Sequence, residues 1–192
     1  MSLEIYIGPM WASKSSSLIN KLTRYADIGL KVIYCNSLKD SRVTESSDLV
    51  VTTHNSGFKG LSKKIEGYKI DRLSDLNYDK YDIIGIDEGQ FFADLVPVVR
   101  DLVINKNKCV IIASLDYDSS LQPFGNVHEL VGLCNPGHLH KMGAICKKCG
   151  PDNITDAGFT LKISGNESII DPGGVDKYLP VCLKCYIKYN NK

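Results

Sequence analysis

Apolar residues gather along this chain in short blocks, and the blocks differ in period. Glu4-Ile5-Tyr6-Ile7 is an apolar run that leads straight into Gly8-Pro9, which predicts a strand ending in a turn. From Lys14 to Ile28, Leu18, Leu22 and Tyr25 recur at helical spacing, and Gly29 fits a helix C-cap. Lys31-Val32-Ile33-Tyr34-Cys35 reads as a second buried strand. Polar residues and turn formers dominate from Ser37 to Ser56, a loop of the kind that carries function. Tyr81 to Ile86 is apolar apart from Asp82 and predicts a central strand. Asp94 to Ile104 has a helical period with Pro97 tolerable in its first turn, and Cys109 to Leu115 is another buried strand. Strands alternating with helices imply a mostly parallel sheet with right-handed crossovers and helices on both faces, an α/β fold. Beyond about Leu139 the pattern changes to cysteine pairs, glycines and short β-like runs at Phe159–Ile163 and Ser168–Ile170, with no helix-length period. We therefore expect a core domain over residues 1–141 and a small module over 142–192.

Composition narrows the partners. The 192 residues are 43% hydrophobic, enough to bury one medium core with a small appendage. A formal net charge of +1 leaves no electrostatic footprint for nucleic acid. No apolar run approaches the ~20 residues of a membrane span. Met1-Ser2-Leu3-Glu4-Ile5 lacks the basic and apolar regions of a signal peptide, so a cytoplasmic protein is expected, with neither nucleic acid nor membrane as partner.

The cysteines divide in two. Cys35, Cys109 and Cys134 lie singly in apolar segments and read as small buried hydrophobes. Cys146, Cys149, Cys182 and Cys185 form two C-x-x-C pairs. In a cytosolic protein such pairs are metal ligands more often than disulfides, and four thiolates are the ligand set of a closed structural zinc site. Zinc would tie Gly150 to Val181 at both ends like a lasso. A redox pair is the competing reading, but no thioredoxin-like βαβ pattern surrounds either motif.

Gly8-Pro9-Met10-Trp11-Ala12-Ser13-Lys14-Ser15 matches G-x-x-x-x-G-K-[ST] at every defined position but one. Backbone N–H groups of such a loop wrap phosphates, its Lys reaches the β/γ-phosphates, and its last hydroxyl holds Mg²⁺. Ser13 stands where the motif has glycine, so either the serine is strained by ~1–3 kcal/mol or the loop adjusts around it. Farther on, Ile83-Ile84-Gly85-Ile86 ends in Asp87-Glu88. An acid at that strand end lies beside the phosphate loop and can hold Mg²⁺. Neighbouring side chains on a strand point to opposite faces, which would give Asp87 and Glu88 different partners and leave Glu88 as a general base. The plain alternatives are a glycine turn before a capped helix and a solvated acidic strand end.

Taken together these segments identify a resemblance. Gly85-Ile86-Asp87-Glu88-Gly89-Gln90-Phe91-Phe92, Gly8-Pro9-Met10 with Lys14-Ser15, Leu115-Asp116, Pro123-Phe124-Gly125, Asp40-Ser41-Arg42, Thr53-His54, Gly173-Gly174-Val175-Asp176-Lys177-Tyr178 and the paired cysteines occur in the order found in one family. The chain resembles, over essentially its whole length, the thymidine kinases of the cellular and poxvirus type. The resemblance implies a P-loop α/β domain with a zinc-held substrate lid, ATP-dependent phosphorylation of the thymidine 5′-hydroxyl, and a homo-oligomer, commonly a tetramer. It also implies roles. Gly8, Pro9, Met10, Trp11, Ala12, Ser13 and Lys14 would bind ATP, with Ser15 and Asp87 around Mg²⁺ and Arg42 near the phosphates. Glu88 would take the hydroxyl proton. Met10, Leu115 and Thr160 would line the pocket for the base methyl, Phe91 and Phe124 would pack on the nucleoside, and Gly173 and Tyr178 would reach it from the lid. Departures from the family pattern are Ser13, Trp11 for a usual phenylalanine, Ser119-Ser120 for an aromatic and a long polar residue, a longer stretch at Gly150–Ala157, and Asp171-Pro172. Two other readings share these residues: a nucleotide-binding paralogue with reduced or altered deoxynucleoside specificity, and a P-loop ATPase. Of His54, His128, His138 and His140, none has an acidic partner evident in sequence and none is expected to be catalytic.

Overall fold

Successive side chains of a strand point to opposite faces, and here the two faces enter two separate cores. The computed structural model describes residues 1–40, 65–164 and 176–190. Its main sheet is built from β1 (Ser2–Ile7), β2 (Val32–Ser37), β3 (Ile65–Ile70), β4 (Ile83–Ile86), β5 (Cys109–Ser114) and β6 (Leu139–Lys141), in the order β3-β2-β4-β5-β1-β6. All five pairings are parallel. On one face Leu3, Ile5, Ile33, Cys35, Ile84, Ile86, Val110 and Ile112 pack with Phe92, Leu95, Val99 and Leu102. On the other, Val32, Tyr34, Ile83, Ile111 and Ala113 meet Leu18, Ile19 and Leu22 of α1 (Lys14–Asp27). Both faces are covered, so the central strands β4 and β5 read as near-continuous apolar runs. Each Å² of apolar surface removed from water stabilises this sandwich by ~25 cal/mol.

Three expectations change. The helix predicted from Asp94 is α2 (Leu95–Arg100), which carries Pro97 in its first turn and then widens into a π-helical turn at Asp101–Asn105. Only Cys35 of the three single cysteines is fully buried. Cys109 accepts a hydrogen bond from Ser2 Oγ at 3.0 Å, and Cys134 Sγ lies 3.2 Å from the Leu3 carbonyl. The tail, expected to lack a helix, ends in α3 (Leu183–Asn190). At two turns it is too short to show a period, and its inward residues are Cys185 and Tyr186.

The tail's remaining elements are two small antiparallel pairs, β7 (Ala144–Ile145) with β8 (Asp156–Ala157) and β9 (Phe159–Lys162) with β10 (Tyr178–Val181). Their core gathers Ala144, Cys146, Ala157, Leu161, Val181, Cys182, Cys185 and Tyr186, together with Ala12 of the phosphate loop. The junction is tight. Met142 N–H donates to Ile7 O at 2.7 Å, and a Cβ on Gly8 (φ +149°) would stand 2.3 Å from the Met142 carbonyl oxygen. No helix among the described residues is long and apolar enough to cross a membrane.

Candidate active site

β1 and α1 hold the phosphate loop between them. Lys14 is buried and turns its Nζ into the loop, donating to the Pro9 carbonyl at 2.6 Å. Ser13 sits at φ 58°, ψ 24°, the left-handed region that glycine enters without steric cost. The departure from the motif has therefore kept the glycine-like backbone rather than remade the loop. Left-handed geometry costs a non-glycine residue ~1–2 kcal/mol, partly offset by the greater unfolded-state freedom of glycine. Ser13→Gly is expected to raise the free energy of urea unfolding by about 1 kcal/mol or less and to leave ATP affinity equal or tighter. A lower unfolding midpoint would mean that contacts around Ser13 hold the serine there without strain.

Beyond the end of β4 the two acids part company. Asp87 is buried, and its Oδ1 accepts from Ser15 Oγ and from the Glu88 N–H, both at 2.9 Å. Its Oδ2 accepts from the Tyr34 hydroxyl at 2.8 Å. Glu88 does serve a different partner, but strand alternation is not the reason. It lies past the strand at φ 52°, ψ 44°, and caps the 3₁₀ turn Gly89–Phe91. Its Oε2 accepts from Gln90 Nε2 at 2.5 Å. Gln90 is itself buried, and its Oε1 accepts from the Leu115 N–H at 2.9 Å and from Ser114 Oγ at 3.1 Å. Those donors fix which end of the amide faces Glu88. Gly125 (φ +67°) closes over this turn, where a Cβ would approach the Gln90 carbonyl oxygen to 2.6 Å. Phe91 and Phe124 thereby meet edge to face, centroids 5.7 Å apart.

The tail module reaches the same loop. Met10 N–H donates to Thr160 Oγ1 at 3.1 Å, so these two expected pocket residues do meet. Tyr178 is buried on β10 opposite Lys162, whose ammonium lies 5.7 Å from its ring centroid. Arg42, His54 and Gly173 lie outside the described residues. His140 has an acidic partner that no local sequence pattern displays: its Nε2 is 3.2 Å from Glu4 Oε1, 136 residues away, and its ring stacks on Tyr6.

The Sγ atoms of Cys146, Cys149, Cys182 and Cys185 all lie within 4.8 Å of one another. Burial would raise the Cys146 thiol, but backbone N–H groups of Cys182, Lys148 and Cys149 outweigh it and bring it down to about 6. Burial and the neighbouring thiols push Cys185 up to about 12. Four sulfurs this close favour full ionisation only around a cation, which is what a thiolate-liking metal supplies. The next residue along, Tyr186, donates its hydroxyl to the Ser119 carbonyl at 2.7 Å and receives Asn190 Nδ2 at 3.0 Å. Cysteine cluster and Ser119 loop are thus one hydrogen bond apart. Gln90 was legible inside the signature, whereas Tyr34 had no local signal.

A phosphate loop between a parallel strand and a helix, facing strand-end carboxylates, defines a P-loop α/β protein, here with a cysteine-clustered tail. A family model described as thymidine kinase matches residues 1–186. The thymidine kinase of fowlpox virus is 34% identical over 189 residues, covering 96% of each chain. That of Choristoneura biennis entomopoxvirus is 33% identical over 191 residues, 99% of this chain and 98% of its own. Thymidine kinase 1 of Dictyostelium discoideum is 32% identical over 193 residues, 99% of this chain and 79% of that protein. The chain belongs to the thymidine kinase family, and it is a kinase.

Proposed function

We propose that this protein transfers the γ-phosphoryl group of ATP to the 5′-hydroxyl of thymidine. The observation that carries the reading is the constellation of Lys14, the Ser15–Asp87 pair and Glu88 held by Gln90. Lys14 would exchange the Pro9 carbonyl for ATP phosphates, and the backbone N–H groups from Gly8 to Ser13 would wrap them. Ser15 and Asp87 offer the hard oxygen set that suits Mg²⁺. They would hold the ion that arrives with ATP, which when bound neutralises charge on the phosphates. Glu88 accepts the hydroxyl proton as the acceptor oxygen attacks, while Gln90 fixes the carboxylate's aim. Phe91 and Phe124 would flank the nucleoside, with Met10, Leu115, Thr160 and Tyr178 shaping the base pocket and Gly173 completing the lid. Arg42 would reach the phosphates. The cysteine cluster would hold one structural Zn²⁺. Division at residue 142, a cytoplasmic homo-tetramer, and ATP and thymidine as partners complete the proposal.

The test is ADP release from ATP, with and without thymidine, followed by a panel of natural deoxynucleosides. Release that requires thymidine supports the reading. Release without any acceptor makes the protein an ATPase, and nucleotide binding without release makes it a paralogue that has lost turnover. A deoxynucleoside preferred over thymidine would move the substrate assignment and leave the kinase.

A further inference from the structure

We infer that Tyr34 is a positioning residue for the Asp87 carboxylate, fixing which oxygen faces the phosphate loop. The inference rests on the proposed assignment of Asp87 to Mg²⁺. Strand register brings the pair together. Tyr34 on β2 stands opposite Gly85 on β4, so both belong to the face covered by α1. Gly85 offers no side chain, and a Cβ there would meet Leu22 Cδ1 at 2.4 Å. Across that bare position the phenol ring lies buried, 2% exposed, and its hydroxyl reaches Asp87, two residues farther along. A buried phenol needs an acceptor, and this one has a carboxylate oxygen. With Ser15 and the Glu88 N–H on Oδ1 and Tyr34 on Oδ2, both oxygens carry a donor and the carboxylate cannot rotate freely. The Asp87 N–H donates at 2.8 Å to the carbonyl of Cys35, the neighbour of Tyr34, so β2 anchors Asp87 through backbone and side chain alike. A packing role would need only the ring. The hydroxyl is what orients.

Tyr34→Phe separates the two roles, because it keeps the ring. Calorimetric titration with ATP is run in Mg²⁺ and again in EDTA. Expected is metal-free ATP affinity within about twofold of the parent, and a Mg²⁺-dependent gain in affinity reduced about tenfold, the scale of one hydrogen bond to a charged group. Turnover should then require about tenfold more Mg²⁺ for half-activation. p-Aminophenylalanine at position 34, a weaker donor in the same place, should fall between the two, and it supplies the comparison if the phenylalanine variant does not fold. Equal weakening with and without Mg²⁺, or no change in either, would make Tyr34 a packing residue and overturn the inference. Asp87→Asn is run alongside. If it keeps the parent's Mg²⁺ dependence, the metal assignment of Asp87 fails and takes the inference with it. A loss in Asp87→Asn without one in Tyr34→Phe defeats the inference alone.

Discussion

Glu88→Gln is expected to lower thymidine phosphorylation at saturating substrates by ~10²–10⁴, the usual contribution of a general base. Glutamine matches the shape and retains a carbonyl oxygen able to accept from Gln90 Nε2, so the turn at Gly89–Phe91 should stand. What disappears is the capacity to take a proton. Lys14, Ser15 and Asp87 are untouched, so ATP affinity by calorimetry should stay close to the parent's. Thymidine affinity should also hold, since the Phe91–Phe124 pair depends on Gly125 closing over Gln90 rather than on the charge of Glu88. Turnover within a factor of two of the parent would remove Glu88 from the chemistry. A fall in turnover matched by equal losses of binding would instead make it a residue that organises the turn.

The second large effect is expected from emptying the cysteine cluster. Fresh reduced protein should contain about one zinc per chain by elemental analysis, as four thiolates make one closed site. Metal binding by such sites is worth ~10–16 kcal/mol in small zinc peptides, comparable to the whole stability of a domain. β7 to β10 and α3 bury only a small core, in which three of the cysteines lie among Ala144, Ala157, Leu161, Val181 and Tyr186. Chelation or Cys182→Ser should therefore loosen the whole module. Tyr186 would then leave the Ser119 carbonyl, and Thr160 would leave the Met10 N–H. Thymidine KM should rise by ~10-fold or more, the scale of losing one or two ordering contacts. The KM for ATP should change less, because Lys14 and Ser15 ride on α1 against the main sheet. Protein without metal and with normal thymidine KM would show that packing alone holds the module.

These expectations depend unequally on sequence and on structure. β1, β2, β4, β5 and α1 were legible because each is buried by a covering layer that demands a continuous or helical apolar pattern. β3 was not, because an edge strand answers to fewer neighbours, and Ile65-Glu66-Gly67-Tyr68-Lys69-Ile70 mixes apolar and charged positions. α3 escaped because Cys185 and Tyr186 face inward within two turns, where metal-ligand spacing hides helical spacing. At the site, Lys14, Ser15, Asp87 and the four cysteines could be read from local motifs, since their chemistry needs them close in the chain or at fixed spacing. Asp87 and Glu88 have different partners for a reason the sequence does not display: the left-handed turn, not strand alternation, separates them. Tyr34 could not be found, because its partner lies 53 residues away and only strand register joins them.

The junction at Met142 bears on how this family could diversify or be re-engineered. β6 leaves the sheet edge, Met142 donates to Ile7, and its carbonyl presses against Gly8 so closely that not even a methyl group fits. The first residue of the phosphate loop and Met142, the residue that follows β6, are therefore parts of one joint. A chimaera that grafts a foreign tail should tolerate length changes between Gly150 and Ala157, a segment ending in a two-residue strand. The same chimaera should fail if its splice falls at residues 141–143, because a shifted backbone there would collide with Gly8 at the start of the phosphate loop. The tail can lengthen at that segment without disturbing the phosphate loop, whereas the joint itself has no room to move.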